Sequence, residues 1–217
     1  LFASFLGDTA EMSNTIELWD AIPKYHVSAR RQVELRDTKG RLPVHEHRFE
    51  YNEEPCRIVI QPASIQDEDG NYKDWYPSTN EQYIEEVLKK FFADASYGLH
   101  EPQEARSWVK FSISMIRREL AARKRQRSPQ EIIKSLEILA NTVIRGYVGN
   151  SKKPIHTEPI LGQLTGVSRA EYLEDPSSLW VARLPFLVSK SINQVTYRQF
   201  DYGTFMALNQ PLARWLH

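Results

Sequence analysis

Basic side chains dominate one segment of the chain, RRELAARKRQRSPQEIIKSLEILANTVI, which covers residues 117–144. Four cations fall within the five residues Arg123–Arg127. They directly precede Ser128, Pro129 and Glu131, which predict a helix start with an N-cap, a first-turn proline and a capping box. The free N–H groups and the dipole of a helix N-terminus also favour anions. The segment therefore predicts a phosphate contact, and duplex DNA is the polyanion that fits it.

Two amphipathic helices are predicted on either side of these cations. The first is capped by Ser114 and carries Arg117 and Arg118 on its polar side. The second has an apolar stripe at Ile132, Leu136, Leu139 and Val143, and its opposite face carries Gln130, Lys134, Glu137 and Asn141. Two amphipathic helices with a short polar connector are typical of a helix-turn-helix.

A hairpin is predicted to follow the second helix. TVIRGYV at 142–148 and IHTEPILGQL at 155–164 read as its strands, and GNSKKP at 149–154 reads as its turn. The turn carries Lys152 and Lys153. The order helix, helix, hairpin predicts a winged helix with a cationic wing tip.

These elements define a predicted DNA-binding surface. Cations on phosphates would release condensed counterions, and the polar face of the second helix would enter a groove. The alternative is a solvated loop whose charges only maintain solubility. The predicted contact residues are Arg117, Arg118, Arg123, Lys124, Arg125, Arg127, Ser128, Gln130, Lys134, Asn141, Lys152 and Lys153.

The N-terminal part of the chain has a different pattern. YHVSARRQVELR, HRFEYN and CRIVIQPASI alternate apolar and polar residues, which predicts antiparallel strands between Tyr25 and Ile65. Ser78 and Glu81 then form a capping box that begins a helix. We therefore expect an α+β fold with a β-rich N-terminal extension at 1–77 and a winged-helix domain at 78–217.

The enzyme class that we consider as an alternative is a metal-dependent nuclease. His45 and His47 would point to one face of a strand, with His26 as a further imidazole, but no third ligand follows at a diagnostic spacing. The sequence has no glycine-rich phosphate loop and a single cysteine, Cys56. We therefore expect no enzyme activity, no catalytic residue, no metal and no cofactor.

Composition narrows the class of protein. The net charge is zero, yet residues 46–86 hold eleven acidic and three basic residues, whereas 101–153 hold five acidic and twelve basic residues. The apolar runs are too short for a membrane span, and LFASFLGD lacks the basic start of a signal peptide. One cysteine allows no internal disulfide, so a reduced, cytoplasmic location without membrane contact is expected.

The order of these segments resembles plasmid replication initiators of the winged-helix Rep type. The runs that carry the resemblance are VKFSISMIRREL, SPQEIIKSLEILANTVI, LWVARLPFLVSKSI and YGTFMALNQPLARWLH, within residues 80–217. The last run matches the family pattern at Tyr202, Phe205, Leu208, Ala213, Arg214 and Leu216.

The resemblance implies the N-terminal winged-helix domain of a tandem pair, with the chain ending inside its last helix. It also implies sequence-specific recognition of plasmid origin repeats, homodimerisation and contacts with host replication proteins. A winged-helix transcriptional repressor is the alternative DNA-binding class, which a palindromic operator instead of direct repeats would distinguish.

Overall fold

The computed structural model of the chain describes residues 12–51, 53–67, 69–166, 179–195, 197–209 and 213–214. The helices within these ranges are α1 (Glu17–Ala21), α2 (Ala29–Leu35), α3 (Thr79–Ala93), α4 (Ile113–Ala122), α5 (Pro129–Asn141), α6 (Phe186–Gln194) and α7 (Tyr202–Ala207). The strands are β1 (Met12–Ile16), β2 (His45–Tyr51), β3 (Glu54–Gln61), β4 (Ala63–Gln66), β5 (Tyr72–Trp75), β6 (Gly98–Glu101), β7 (Arg106–Phe111), β8 (Val143–Val148), β9 (His156–Pro159), β10 (Gly162–Thr165), β11 (Trp180–Arg183) and β12 (Tyr197–Asp201).

All the paired strands are antiparallel. One four-stranded sheet has the order β2–β3–β8–β9, and a second has the order β10–β11–β7–β6. In the part of the chain that the structure describes, β1–β12 and β4–β5 form two further pairs. Helices combined with antiparallel sheets confirm the predicted α+β class.

The second sheet belongs to a winged helix. Its elements follow in the order α3, β6, β7, α4, α5, β10 and β11, with β8 and β9 of the other sheet between α5 and β10. β11 pairs with β7 so that Trp180 lies opposite Phe111. The β10–β11 hairpin therefore takes the place of the wing. Most of its connection, 167–178, lies outside the described residues.

The hairpin predicted to follow α5 is present, because β8 and β9 pair antiparallel from Val143 opposite Pro159 to Gly146 opposite His156, but it is part of the other sheet. β8 pairs with β3 along its whole length, from Val143 opposite Gln61 to Val148 opposite Cys56. The predicted second strand, IHTEPILGQL, breaks into β9 and β10, which lie in different sheets. At the break, Leu161 N–H donates to the Leu139 carbonyl at 3.1 Å, which fastens the turn to α5.

The β2–β3–β8–β9 sheet crosses the division predicted at residue 77. β3 comes from the predicted extension, and β8 follows directly after the helix-turn-helix. Ile58 and Ile60 of β3 and Ile144 of β8 are buried in the same core as Leu136 of α5. The division into two domains stays a prediction, although the two parts share a sheet and a core.

The start of α3 follows the predicted capping box. Ser78 donates to Glu81 Oε2 from its backbone N–H at 2.8 Å and from its hydroxyl at 2.9 Å. Glu81 Oε1 accepts a further hydrogen bond from Ser135 Oγ at 2.7 Å, which links α3 to α5. One carboxylate thus closes a helix and joins two helices of the core.

A buried charged network joins α1 to α3. Lys89 is 1% exposed, and its Nζ lies 3.0 Å from Asp20 Oδ2 and 2.5 Å from Glu86 Oε1. Burial opposes the charge of Lys89, but the carboxylates outweigh burial and raise its pKa. If this cation were removed, buried carboxylates would be left without their partner, which is strongly destabilising.

Two local predictions need correction. YHVSARRQVELR does not form a strand, because Ser28 caps α2 by accepting from Arg31 N–H at 3.2 Å. The first helix of the helix-turn-helix is capped by Ser112, which accepts from Met115 N–H, instead of by Ser114. In each case a serine hydroxyl captures a free N–H at the first turn.

The predicted C-terminal helix, from Asn209 onward, lies largely outside the described residues. No helix within the described ranges is long and apolar enough to cross a bilayer.

Candidate nucleic-acid interface

The first predicted helix of the helix-turn-helix ends in a Schellman motif. Lys124 N–H donates to the Ala121 carbonyl at 3.0 Å, and Arg125 N–H donates to the Leu120 carbonyl at 2.8 Å. Lys124 takes the left-handed conformation that this motif requires, with φ of 58°, a position that favours glycine. Its side chain is exposed at the tip of the turn.

Arg125 is turned inward. Its Nε donates to the Met206 carbonyl at 2.9 Å, its second nitrogen to Asn209 Oδ1 at 2.8 Å and its third to the Ala207 carbonyl at 2.8 Å. The guanidinium also lies over the Tyr83 ring, 5.1 Å from its centroid. All three nitrogens are therefore engaged with the chain itself, and a DNA contact of Arg125 stays a prediction.

Arg127 is also engaged within the chain. Its Nε and one terminal nitrogen donate to Asn80 Oδ1 at 2.9 and 2.6 Å, and the other donates to the Gln126 carbonyl at 2.7 Å. Asn80 belongs to the first turn of α3. This contact fastens the connector to the helix that begins the winged helix.

Arg123 completes the inward group. Its Nε lies 3.6 Å from Glu119 Oε1, and its guanidinium lies 5.2 Å from the centroid of the Tyr202 ring. Three of the four cations in the predicted cluster thus contact neighbouring parts of the chain, and Lys124 is the exposed one.

The N-terminus of α5 is capped as predicted, and the protein's own carboxylate occupies it. Ser128 Oγ accepts from Glu131 N–H at 3.2 Å, and Glu131 Oε2 accepts from Ser128 N–H at 2.8 Å. These hydrogen bonds lower the pKa of Glu131. A phosphate at this helix end would meet a carboxylate that is already bound there.

The exposed cations lie on α4. Arg117 and Arg118 are both exposed, one turn before the Schellman motif that presents Lys124. We call Arg117, Arg118 and Lys124 the outer cations. They are the exposed members of the predicted phosphate-contacting group on α4 and in the turn that follows it.

The polar face predicted for α5 is confirmed. Asn141 Nδ2 donates to the Glu137 carbonyl at 2.8 Å, within the helix. The residues on this face are all exposed, and they are Gln130, Lys134, Glu137 and Asn141.

A second group of cations, which the sequence analysis missed, surrounds Trp75 on β5. The Lys134 ammonium lies 3.6 Å from the ring centroid, the Arg36 guanidinium 4.8 Å and the Lys73 ammonium 5.2 Å. Burial, and then the charge of Lys73, lowers the pKa of Lys134. We call these four residues the Trp75 cluster. Sequence spacing gave no signal for it, because the three cations come from α2, β5 and α5.

Lys152 and Lys153 are exposed in the turn between β8 and β9. This turn lies at the end of β8 that is remote from α5, since β8 begins directly after α5 ends. The structure therefore places these lysines on the β2–β3–β8–β9 sheet, whereas Arg123–Arg127 lie in the connector between α4 and α5.

The structure also brings His26 to His45 and His47. His26 Nε2 lies 2.7 Å from His45 Nε2, and the ring centroids of His26 and His47 are 4.9 Å apart. Burial lowers the pKa of His26 and of His45, and His47 lowers that of His45 further. The sequence analysis grouped His26 with these two residues, and the structure brings it to the strand although a helix separates them along the chain.

No known family model matches the chain, and no curated protein sequence matches it. A solved structure that does resemble it contains domains 2 and 3 of RctB, determined as a selenomethionine derivative. The two are 10% identical in sequence, and the match has a TM-score of 0.53 over 93% of this chain and 68% of that chain. At this identity the likeness shows the fold alone, so the chain shares the α+β fold of those RctB domains.

Proposed function

We propose that this chain binds duplex DNA as a domain of a replication initiator. The observation that carries the proposal is that the outer cations and the polar face of the next helix, α5, are all exposed, within a winged-helix order of elements. The fold likeness to domains of RctB, a replication initiator, supports the same class of function.

The outer cations would bind the DNA backbone. Arg117 and Arg118 lie in the middle of α4 and Lys124 in the turn after it, and each phosphate that they neutralise would release counterions. Arg125 and Arg127 would act indirectly, because their internal hydrogen bonds hold the connector that presents Lys124.

The polar face of α5 would read bases. Gln130 and Asn141 carry amide groups that pair with adenine in the major groove. Lys134, with the rest of the Trp75 cluster, would contact a phosphate next to the groove, since the cluster lies beside the middle of α5.

The finer parts of the proposal come from the resemblance to plasmid initiators. The chain would recognise origin repeats as a homodimer, contact host replication proteins in the cytoplasm and catalyse no reaction. Lys152 and Lys153 would contact a separate stretch of the DNA backbone, since their turn lies on the β2–β3–β8–β9 sheet.

A salt titration of duplex affinity tests the proposal. The logarithm of the association constant should fall linearly with the logarithm of salt concentration, with a slope of about −0.9 for each phosphate contact. An Arg117→Gln, Arg118→Gln double variant should reduce that slope by about 2.

The matched control changes two exposed arginines elsewhere. Arg30 and Arg48 have side chains that are 92% and 82% exposed. The Arg30→Gln, Arg48→Gln variant loses the same charge and should keep the wild-type slope. Equal slopes for all three proteins, or an affinity that does not depend on salt, would contradict the proposal.

A further inference from the structure

Three imidazole side chains converge beside β2. One ring nitrogen from each of His26, His45 and His47 lies within 4.8 Å of the others. We call these residues the histidine triad. All three potential ligand atoms of this group are imidazole nitrogens.

The backbone holds all three positions. His45 and His47 are alternate residues of β2, so they share one face of the strand. His26 lies in the connection between α1 and α2, where its neighbours Tyr25 and Val27 are 7% and 3% exposed. An exposed imidazole between two buried side chains is thereby held against the strand.

A backbone carbonyl fixes the tautomer of His26. Its Nδ1 lies 2.5 Å from the Pro23 carbonyl oxygen, which can only accept, so Nδ1 carries the proton. The Nε2 atom then presents its lone pair towards His45 Nε2. Histidines that bind metals usually donate their other ring N–H to a carbonyl or carboxylate in this way.

We propose that the histidine triad binds a single zinc ion, with water at the fourth position. Imidazole nitrogen suits zinc, and three protein ligands with an open fourth position are a common zinc arrangement. Two nitrogens on a tetrahedral zinc stand about 3.3 Å apart, given Zn–N distances of about 2.0–2.1 Å. The Nε2 atoms of His26 and His45, which lie 2.7 Å apart, would need to open by about half an ångström. The proton on His45 Nε2 would move to its Nδ1 or be released to solvent when zinc binds.

Zinc at this position would join two distant parts of the chain. It would tie the connection that holds His26 to β2, and so close the segment that contains α2. An ion that binds the folded protein and not the unfolded chain raises stability by mass action. This inference goes beyond DNA binding, because the triad and the outer cations share no residue.

The site is tested by zinc titration of the whole protein after a chelator has removed any bound metal. Competition with a coloured chelator measures the affinity. One equivalent should bind with micromolar or tighter affinity. At a hundredfold excess over the dissociation constant, zinc should raise the melting temperature by about 5–10 °C. Cobalt in place of zinc should give the intense visible bands of a four-coordinate ion.

Variants separate the triad from adventitious binding. His26→Ala removes the ligand in the exposed connection, His47→Ala removes one from the strand, and each should weaken zinc binding at least tenfold. His100→Gln removes an imidazole that contacts Ser107 and Asn193, away from the triad, and should bind zinc as the wild type does. Circular dichroism in chelator establishes that each variant is folded.

The absence of zinc binding would overturn the proposal, as would equal zinc affinity in wild type and His26→Ala. A cobalt spectrum of the wild type that shows nothing but the weak bands of a six-coordinate ion would also overturn it. If His47→Ala fails to fold, the His26→Ala result decides alone. Neither measurement involves DNA, so the outcome is independent of the salt titration.

Discussion

Arg117 and Arg118 of α4 and Arg125 and Arg127 of the connector are the same residue type within a dozen positions, but they face different surroundings. The α4 pair is exposed, whereas the nitrogens of Arg125 donate to carbonyls in the last turn of α7 and those of Arg127 donate to Asn80. The carbonyls that Arg125 reaches lie at the end of α7, where a helix has no acceptor partners of its own. Local cation density therefore does not tell a ligand-binding cation from one that holds the fold together.

The largest expected effect comes from the most inward cation, Lys89. Lys89→Met approximately keeps the length of the side chain and removes the ammonium that lies between Asp20 and Glu86. We expect the free energy of unfolding to fall by about 3–5 kcal/mol, measured by urea denaturation. Lys110→Met, at an exposed strand position, should change it by less than about 0.5 kcal/mol. Similar losses in both variants would remove the distinction between inward and outward cations.

Arg125→Ala is the next test, because it separates two functions of the connector. We expect a loss of about 2–3 kcal/mol in stability, since the carbonyls of Met206 and Ala207 lose a charged donor. Arg118→Ala, the matched outward arginine, should cost less than about 0.5 kcal/mol. Thermal and urea unfolding of the two proteins side by side measure the difference. An Arg125→Ala protein as stable as Arg118→Ala would show that the internal hydrogen bonds contribute nothing.

The Trp75 cluster gives a smaller effect. Lys73→Gln combined with Lys134→Gln should weaken duplex binding about threefold to tenfold at low salt and should leave melting unchanged within a few degrees. Fluorescence anisotropy with a labelled duplex measures the affinity. Unchanged affinity would confine DNA binding to the outer cations.

Lys124→Gly is expected to give the smallest change, and two properties should move in opposite directions. Glycine removes the strain of a left-handed lysine, so stability should rise by about 0.5–1 kcal/mol. Duplex affinity should fall slightly, because one outer cation is lost. Lys124→Asn, which tolerates the same conformation, separates backbone strain from charge. A destabilised glycine variant would contradict the role of Lys124 in the Schellman motif.

The sequence predicted those features that depend on neighbouring residues. The capping boxes at Ser78 and Ser128, the polar face of α5 and the strands β2 and β3 were all predicted from spacing, and the structure has them. The α+β class followed from the same patterns. Each rests on contacts within about one helical turn or one strand.

The features that were missed depend on distant partners. The hairpin that begins with β8 was predicted from its position after α5, but the pairing of β8 with β3, more than eighty residues earlier, was not. The internal hydrogen bonds of Arg125 were not predicted, because its acceptors at 206–209 lie far along the chain. His26 was grouped with His45 and His47, but its contact with His45 depends on the path of the chain through α2, which spacing does not determine.

The pairing of β3 with β8 has a consequence for dissecting this protein. Removing the first 77 residues to isolate the helix-turn-helix would strip β8 of its neighbour and expose a row of unpaired peptide groups. Such an edge recruits other chains and promotes aggregation. Precipitation of such a shortened protein would result from the loss of β3 beside β8, and it would not measure the ability of the remaining part to bind DNA.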